Sequence, residues 1–175
     1  IHTRRRSRGN ETVIVLGVDT SLRSTGYGVL SVQGSTMRSL EAGNIRNPPK
    51  LSLTGCLAAI HSKIASLIDT YHPEVMAVES VIYGKNAGTM LALGQARGAG
   101  LTAAAAAGLT VYEYEPRRMK KAICGNGLAE KGQIQRMVKT LLGMTECPQN
   151  DAADALGLAI CHANSCTRFS RECPI

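Results

Sequence analysis

The stretch VIVLGVD, residues Val13 to Asp19, decides the fold. Apolar residues and one glycine lead up to an acid, a pattern typical of a buried central strand with a polar side chain at its carboxyl end. A second run of this kind, VMAVE, extends from Val75 to Glu79. Neighbouring strands lie about 4.8 Å apart. If the two strands pair, both carboxylates lie at the edge where open α/β sheets bind ligands.

The remaining elements follow from periodicity and turn residues. Strands are predicted at 26–32 and 37–45, joined by a turn at Gly34-Ser35, and at 109–114. Helices are predicted at 51–71, 88–107, 129–142 and 151–163, with another beginning at Pro116. Three strands in a meander, followed by alternating helices and strands, predict a mixed α/β domain. Right-handed crossovers can make its later strands parallel to the first.

Charge is distributed unevenly along the 175 residues. The net charge is +7, and residues 1–10 contribute four arginines to it. Residues 11–164 hold 14 basic and 12 acidic residues, a net charge of +2. We therefore divide the chain into a basic arm (1–10), a central domain (11–164) and a tail (165–175). A basic surface suits a phosphate backbone, although a solvated basic tail on a neutral domain is an equally good interpretation of charge alone.

No feature of the sequence predicts a membrane or secreted protein. The chain has no apolar run near the roughly 18 residues that a membrane span needs, and its basic start lacks the apolar segment of a secretory signal. We therefore expect a cytoplasmic protein whose six cysteines are free thiols. A zinc site built from Cys161, His162, Cys166 and Cys173 is a less favoured alternative, because the spacing fits no familiar zinc pattern.

A second pair of acids extends the candidate site. Asp151 and Asp154 are three residues apart on a predicted helix and therefore share one of its faces. With Asp19 and Glu79 they predict an all-oxygen cluster suited to Mg²⁺, with Mn²⁺ able to substitute. Two ions about 4 Å apart would suit phosphodiester hydrolysis. Taken singly, an acid of this kind is more often structural than catalytic. Asp19 and Glu79 could simply end a strand, and Asp151 and Asp154 could lie at a helix N-terminus, where the dipole favours negative charge.

The predicted helix at 88–107 is unusually rich in glycine. Gly94, Gly98 and Gly100 each cost about 1 kcal/mol relative to alanine in a helix interior. The letters from Gly98 to Ala103 match a dinucleotide fingerprint, but they lie within a helix and not at a strand-to-helix turn, so that interpretation is rejected. Close packing against the sheet or a second subunit explains the glycines better.

Several motifs occur together in a recognisable order. They are GVD (17–19) before TGYG (25–28), VE (78–79) before GKN (84–86), LGQARG (93–98), EY (113–114), KK (120–121), AEK (129–131) and PQNDAADAL (148–156). Together they resemble the RuvC family of Holliday-junction resolvases over residues 13–162. The resemblance implies an RNase H-like fold, a mixed five-stranded sheet with helices on both faces.

The resemblance also implies an activity and partners. It implies a homodimer that binds a four-way DNA junction and nicks two strands symmetrically, in recombination and repair, beside a branch-migration motor. The implied catalytic residues are the metal-binding acids Asp19, Glu79, Asp151 and Asp154, and Lys120 and Lys131 near the scissile phosphate. The positions that we expect to contact DNA are Ile82, Tyr83, Lys85, Asn86, Arg97, Arg117 and Lys121.

The sequence departs from the family pattern at two places. Thr20-Ser21 replaces the usual Pro-Gly after the first aspartate. Ile82 stands where the family often has an aromatic residue that enters the opened junction. We hypothesise that the adjacent Tyr83 provides that stacking surface.

Three rival functions were weighed. An actin-like ATPase or sugar kinase needs a second lobe and a second phosphate loop, for which 175 residues leave little room. A catalytically inactive junction-binding module would have lost an acid, whereas all four are present. A nuclease of the same fold acting on RNA–DNA hybrids remains an alternative that substrate competition would separate.

Overall fold

The computed structural model describes residues 11–81, 86–166 and 174–175. Within them the elements alternate as the sequence predicts. The strands are β1 (Thr12–Asp19), β2 (Ser24–Gln33), β3 (Thr36–Arg46), β4 (Val75–Glu79) and β5 (Thr110–Tyr114). The helices are α1 (Leu53–Tyr71), α2 (Ala87–Ala106), α3 (Pro116–Cys124), α4 (Lys131–Leu142) and α5 (Asn150–Cys166). Every predicted element is present, with its ends shifted by a few residues at most.

Local chemistry explains where the helices begin and end. The side chain of Ser52 caps α1 by accepting a hydrogen bond from the backbone N–H of Gly55. The side chain of Asn86 caps α2 in the same way, by accepting one from the backbone N–H of Thr89. Pro116 occupies the first turn of α3. The α4 helix begins at Lys131 and not at 129, because Glu130 forms a capping box with Gln133. The α5 helix extends through Cys166, beyond the predicted end at 163 and the domain boundary at 164.

Within the described residues the five strands form one mixed sheet in the order β3-β2-β1-β4-β5. The first three are an antiparallel meander, while β4 runs parallel to β1 and β5 runs parallel to β4. Val18 lies opposite Val78 in the β1–β4 register. The carboxyl ends of β1 and β4 therefore meet at one edge of the sheet, as the two acid-terminated strands predict.

Each face of the sheet has its own hydrophobic core. Leu16, Val18 and Met76 pack with α1 and α2 on one face, whereas Val15, Ala77 and Leu156 belong to the core beneath α3, α4 and α5 on the other. The expected mixed sheet with helices on both faces is confirmed. None of the helices within the described residues combines the length and apolar character that crossing a membrane requires.

The α5 helix lies unusually close to the sheet, and two glycines permit this. A Cβ atom added at Gly17 on β1 would lie 1.9 Å from the carbonyl oxygen of Ala155, and one at Gly26 on β2 would lie 2.0 Å from that of Asp151. Any side chain at these positions would push α5 away from the strands. The glycines thus bring the first turn of α5 over the edge where β1 and β4 end.

Candidate active site

The four acids that the sequence singled out come together at this edge. Asp19 and Glu79 end the adjacent parallel strands β1 and β4. Asp151 lies in the first turn of α5, and Asp154 follows three residues later. All four are partly buried. Strand pairing and close helix packing, not local sequence, create the cluster.

Asp19 is the electrostatic centre of the cluster. Burial, reinforced by the negative charges of Glu79, Asp154 and Asp151, raises its pKa from 3.8 to about 8, against a smaller opposing influence of Lys131. Its carboxyl group shares a hydrogen bond with Glu79. This contact partly offsets the rise in the pKa of Glu79.

The neighbouring acids respond in the same direction. Burial, followed by the charge of Asp154, raises the pKa of Glu79, while Lys120 and Lys131 partly oppose this. Burial also raises the pKa of Asp154, with Lys131 and Lys120 again acting in opposition. Both lysines are therefore close enough to influence the acids electrostatically. Lys120 lies on α3, and Lys131 is the first residue of α4.

The acids fit a divalent cation by donor type and by charge. All are oxygen donors, the set that Mg²⁺ and Mn²⁺ prefer. Burial, together with neighbouring negative charge, raises the pKa of Asp19, of Glu79 and of Asp154, so the negative charge of the site lacks compensation. As the side chains stand in residues 11–81, 86–166 and 174–175, no three Asp, Glu, His or Cys residues form a group that could hold a metal ion. Holding an ion there would therefore require a change in the side-chain positions of the acids.

Asp151 has two partners that sequence reasoning missed. Its Oδ2 atom accepts hydrogen bonds from Ser24 Oγ at 2.5 Å and from Asn44 Nδ2 at 2.8 Å. Ser24 begins β2, and Asn44 lies near the end of β3. No local motif marks them, because they reach Asp151 only through the meander register and the placement of α5.

An open cleft of about 670 Å³ adjoins Asp151 on the side of β2 and β3. Arg23 and Arg46 give its lining positive charge. Arg23 Nη1 donates to the carbonyl oxygens of Pro48 and Leu51, which fixes the loop after β3. Arg46 is exposed and donates to Gln149 Oε1 at 2.7 Å. Neither arginine was predicted from the sequence as part of the site.

The expected DNA contacts are placed differently from one another. Arg117 and Lys121 are exposed on α3. Asn86 is exposed, and its Oδ1 accepts a hydrogen bond from the Thr89 backbone as the cap of α2. Ile82, Tyr83 and Lys85 lie outside the described residues, as does the basic arm 1–10.

The expectation that Arg97 contacts DNA is not supported by its position. Its side chain is only 7% exposed. It donates to the backbone oxygen of Glu79 at 2.5 Å and forms an ion pair with Glu113. These internal partners compensate the buried charge of Arg97. The bond to the backbone of Glu79 links α2 to the carboxyl end of β4.

The zinc alternative gains no support from the described part of the chain. Cys161 and His162 are buried at 1% and 4% exposure. His162 Nδ1 lies 2.7 Å from the Tyr114 hydroxyl, and the contact is buried. The Cys166 side chain and Cys173 fall outside the residues that the structure describes. His162 is thus part of a packed aromatic core.

Comparison with known proteins decides the family. The sequence model described as crossover junction endodeoxyribonuclease RuvC matches residues 15–162. The chain belongs to the RuvC family. It is 45% identical over 156 residues to the RuvC of Teredinibacter turnerae, covering 87% of this chain and 88% of that protein. It is 47% identical over 152 residues to the RuvC of Aliivibrio salmonicida, covering 87% of each.

Solved structures agree with this membership. Thermus thermophilus RuvC in complex with a Holliday junction substrate superimposes with a TM-score of 0.86 at 32% identity, covering 93% of this chain and 99% of that one. The yeast mitochondrial resolvase Ydc2 gives a TM-score of 0.62 at 14% identity, covering 92% and 86%. The second likeness concerns the fold alone. The family resemblance and the RNase H-like fold inferred from the sequence are confirmed.

Proposed function

We propose that this RuvC-family chain is a structure-specific endodeoxyribonuclease that resolves four-way DNA junctions by paired symmetric nicks during homologous recombination and repair. The observation that carries the proposal is the convergence of four acids at one edge of the sheet, namely Asp19, Glu79, Asp151 and Asp154. A bound cation would compensate their combined negative charge. Relatives of similar length carry the name crossover junction endodeoxyribonuclease.

We propose that these four acids hold Mg²⁺, with Mn²⁺ able to substitute, and that each site takes two ions. Ions bound there would activate water and stabilise the leaving oxygen of a phosphodiester. A bound cation would favour the ionised form of Asp19, whose raised pKa reflects burial and the neighbouring acids. Burial of the acids keeps them from being screened by bulk water.

Lys120 and Lys131 are proposed to act on the phosphate. Both carry positive charge that is felt at Glu79 and Asp154. A cation in this position would stabilise the negative charge that develops on the scissile phosphate. They come from the middle of α3 and the beginning of α4, so the packing of these two helices sets their separation.

Other residues are proposed to bind the junction away from the acids. Arg117 and Lys121, both exposed on α3, are proposed to contact the phosphate backbone, and the same role is proposed for Lys85 from its sequence position. Tyr83 is proposed to stack on an unpaired base at the junction centre, with Ile82 beside it. Fluorescent base analogues at the crossover test this. We expect Tyr83→Ala to reduce unstacking, and unchanged unstacking would refute the stacking role.

The α2 helix supports a homodimer. A Cβ atom at Gly94 or Gly98 would meet no described residue within 4 Å, so packing against the described part of the chain does not account for these glycines. Leu91 shares this face by its spacing and is 65% exposed. We propose that a second copy packs closely here, and that the resulting twofold axis presents two identical sites for paired cuts.

Sedimentation analysis tests the dimer. We expect the parent protein to sediment as a dimer and the Gly98→Arg variant to sediment as a monomer. Ser62→Arg, at an exposed position of α1, should leave the dimer intact. A dimeric Gly98→Arg variant would refute this interface. A branch-migration motor complex is a further proposed partner, and its co-sedimentation with the protein on junction DNA tests that proposal.

A substrate panel tests the proposed activity. A four-way junction, a linear duplex of the same sequence and an RNA–DNA hybrid are incubated with the protein, with and without Mg²⁺, over several junction sequences. We expect paired nicks in the junction alone, and only with metal. Cutting of the hybrid instead would favour the alternative nuclease, and binding without cutting would favour an inactive junction-binding module.

A further inference from the structure

One oxygen of Asp151 is held by two neutral donors. Ser24 Oγ and Asn44 Nδ2 both donate to Oδ2, at 2.5 Å and 2.8 Å. Asn44 Nδ2 also lies 3.2 Å from Ser24 Oγ, so the three polar groups close a triangle. Both hydrogen bonds end on Oδ2, and neither therefore occupies Oδ1.

The triangle joins elements that are remote in sequence. Ser24 is 127 residues from Asp151, and Asn44 is 107 residues from it. Asn44 is paired with Gly26 across β2 and β3. Since Gly26 admits the Asp151 backbone to this surface, the strand register and the close helix approach together bring the donors to the carboxylate. The contact among β2, β3 and α5 is therefore a product of the tertiary structure.

The orientation of the Asn44 amide follows from the carboxylate. Its Oδ1 atom is buried and has no hydrogen-bond partner among the described residues. Rotating the amide by half a turn would direct that oxygen at Asp151 Oδ2, where two acceptors repel. The favourable contact with a carboxylate oxygen thus determines which end of Asn44 faces Asp151.

We propose that Ser24 and Asn44 are positioning residues for the metal site. By holding Oδ2 they fix the Asp151 side chain and leave Oδ1 as the oxygen available to a divalent cation. Partners that orient a ligating carboxylate typically change metal affinity by about 10- to 100-fold when removed. Being neutral, the two donors add no charge that would repel a cation. The inference rests on the proposed metal-dependent function.

Manganese binding to the full chain, measured by electron paramagnetic resonance of free Mn²⁺, tests the inference. We expect Ser24→Ala/Asn44→Ala to raise the Mn²⁺ dissociation constant by about 10- to 100-fold. Ser24→Thr keeps the hydroxyl and should bind Mn²⁺ within about threefold of the parent protein, well short of that loss. Ser31→Ala, the same change farther along β2, is the matched control. Thermal unfolding and junction affinity in EDTA should remain near parental for every variant.

The outcomes separate this inference from the proposed function. Parent protein that binds Mn²⁺, with a double variant that binds it equally well, would refute the positioning role alone. Parent protein that binds no Mn²⁺ would refute the metal-dependent function and the inference with it. If the double variant fails to fold, the comparison of Ser24→Ala with Ser24→Thr decides: equal Mn²⁺ affinities would overturn the proposal.

Discussion

At the scale of single residues, Asp19 shows the conflict between stability and function. Its carboxyl group ends a buried strand beside three other acids, and its pKa rises to about 8. Such a group is unfavourable when ionised unless a cation is present. The protein thus retains a destabilising charge cluster, as expected where residues are selected for chemistry more than for stability.

This cluster predicts how stability changes with pH. Between pH 5 and 8 the folded, metal-free protein holds a proton on Asp19 that the unfolded chain has released, since the pKa falls to 3.8 on unfolding. The unfolding free energy should therefore decrease as pH rises, by up to about 1.4 kcal/mol per pH unit. Thermal unfolding in EDTA measures this dependence.

Asp19→Asn is the control for the pH prediction. The amide cannot titrate, so the variant should show a flatter profile and a higher melting temperature than the parent protein at pH 8 in EDTA. Adding Mg²⁺ should stabilise the parent protein increasingly as pH rises, because binding displaces the proton. A parent protein whose melting temperature in EDTA rises from pH 5 to 8 would contradict the raised pKa of Asp19.

The two lysines near the acids yield a second prediction. Lys131→Met and Lys120→Met each remove a charge that acts on Glu79 and Asp154. We expect single-turnover nicking to slow by about 100-fold, with junction affinity little changed, because the charge acts on the developing phosphate charge. Lys139→Met, in the last turn of α4, is the matched control. Equal slowing of the control would show that the effect is not specific to the site.

The acids were predictable from the sequence, and their polar partners were not. Asp19 and Glu79 end apolar runs, and Asp151 and Asp154 have helical spacing, so local pattern is sufficient to select them. Ser24 and Asn44 reach Asp151 through a strand register and a helix contact that no local pattern encodes. For the same reason Arg97 resembled a surface cation in sequence, although tertiary contacts bury it beneath β4.

At the scale of elements, the position of α5 depends on small residues in the sheet. A Cβ atom added at Gly17 or Gly26 would lie about 2 Å from a backbone oxygen of α5, closer than any Cβ atom can approach. The sequence predicted α5 and its two acids. How closely α5 approaches β1 and β2 depends on contacts between residues that are more than a hundred positions apart in the sequence. Glycine at these strand positions is a sign of close backbone approach that the sequence analysis did not use.

Gly26→Ala tests this packing. The new methyl group would overlap the Asp151 backbone, so we expect a destabilisation of about 1–3 kcal/mol. In a chain of this size this corresponds to a lower melting temperature by roughly 2–4 °C per kcal/mol. Gly132→Ala in α4 meets only the end of Arg136, at 3.5 Å, and should leave stability unchanged or raise it. A Gly26→Ala protein as stable as the parent would contradict the close approach.

The α2 helix is the element for which the sequence left two explanations. Its glycines suggested packing against the sheet or against a second subunit. Open space around Gly94 and Gly98 removes the sheet as the explanation for those two positions. Composition reveals an unusual helix, but only the fold reveals which way its glycines face.

At the scale of the whole molecule, charge is arranged for DNA. Arg4, Arg5, Arg6 and Arg8 precede a domain in which four of the twelve acidic residues belong to the site. We expect deletion of residues 1–10 to reduce the salt dependence of junction binding, by about one unit of log–log slope for each lost phosphate contact. Binding isotherms over a range of salt concentrations measure this. An unchanged slope would show that the arm makes no phosphate contact.

The fold and the family were both predictable because the motifs that identify them are distributed along most of the chain. Alternating strand and helix patterns specify the order of elements, and short turns specify the meander. The dimer, the metal content and the geometry of the junction complex depend on other molecules, so neither the sequence nor one folded chain determines them.

The most direct test of the central claim is single-turnover cleavage of a four-way junction, labelled on each strand in turn, by the parent protein and by Asp19→Asn. We predict two symmetric nicks by the parent protein in Mg²⁺. The variant should bind the junction with similar affinity and cut at least about 100-fold more slowly, because one metal-binding oxygen donor is lost. Undiminished paired nicking by Asp19→Asn would contradict the assignment of these acids as the catalytic metal site.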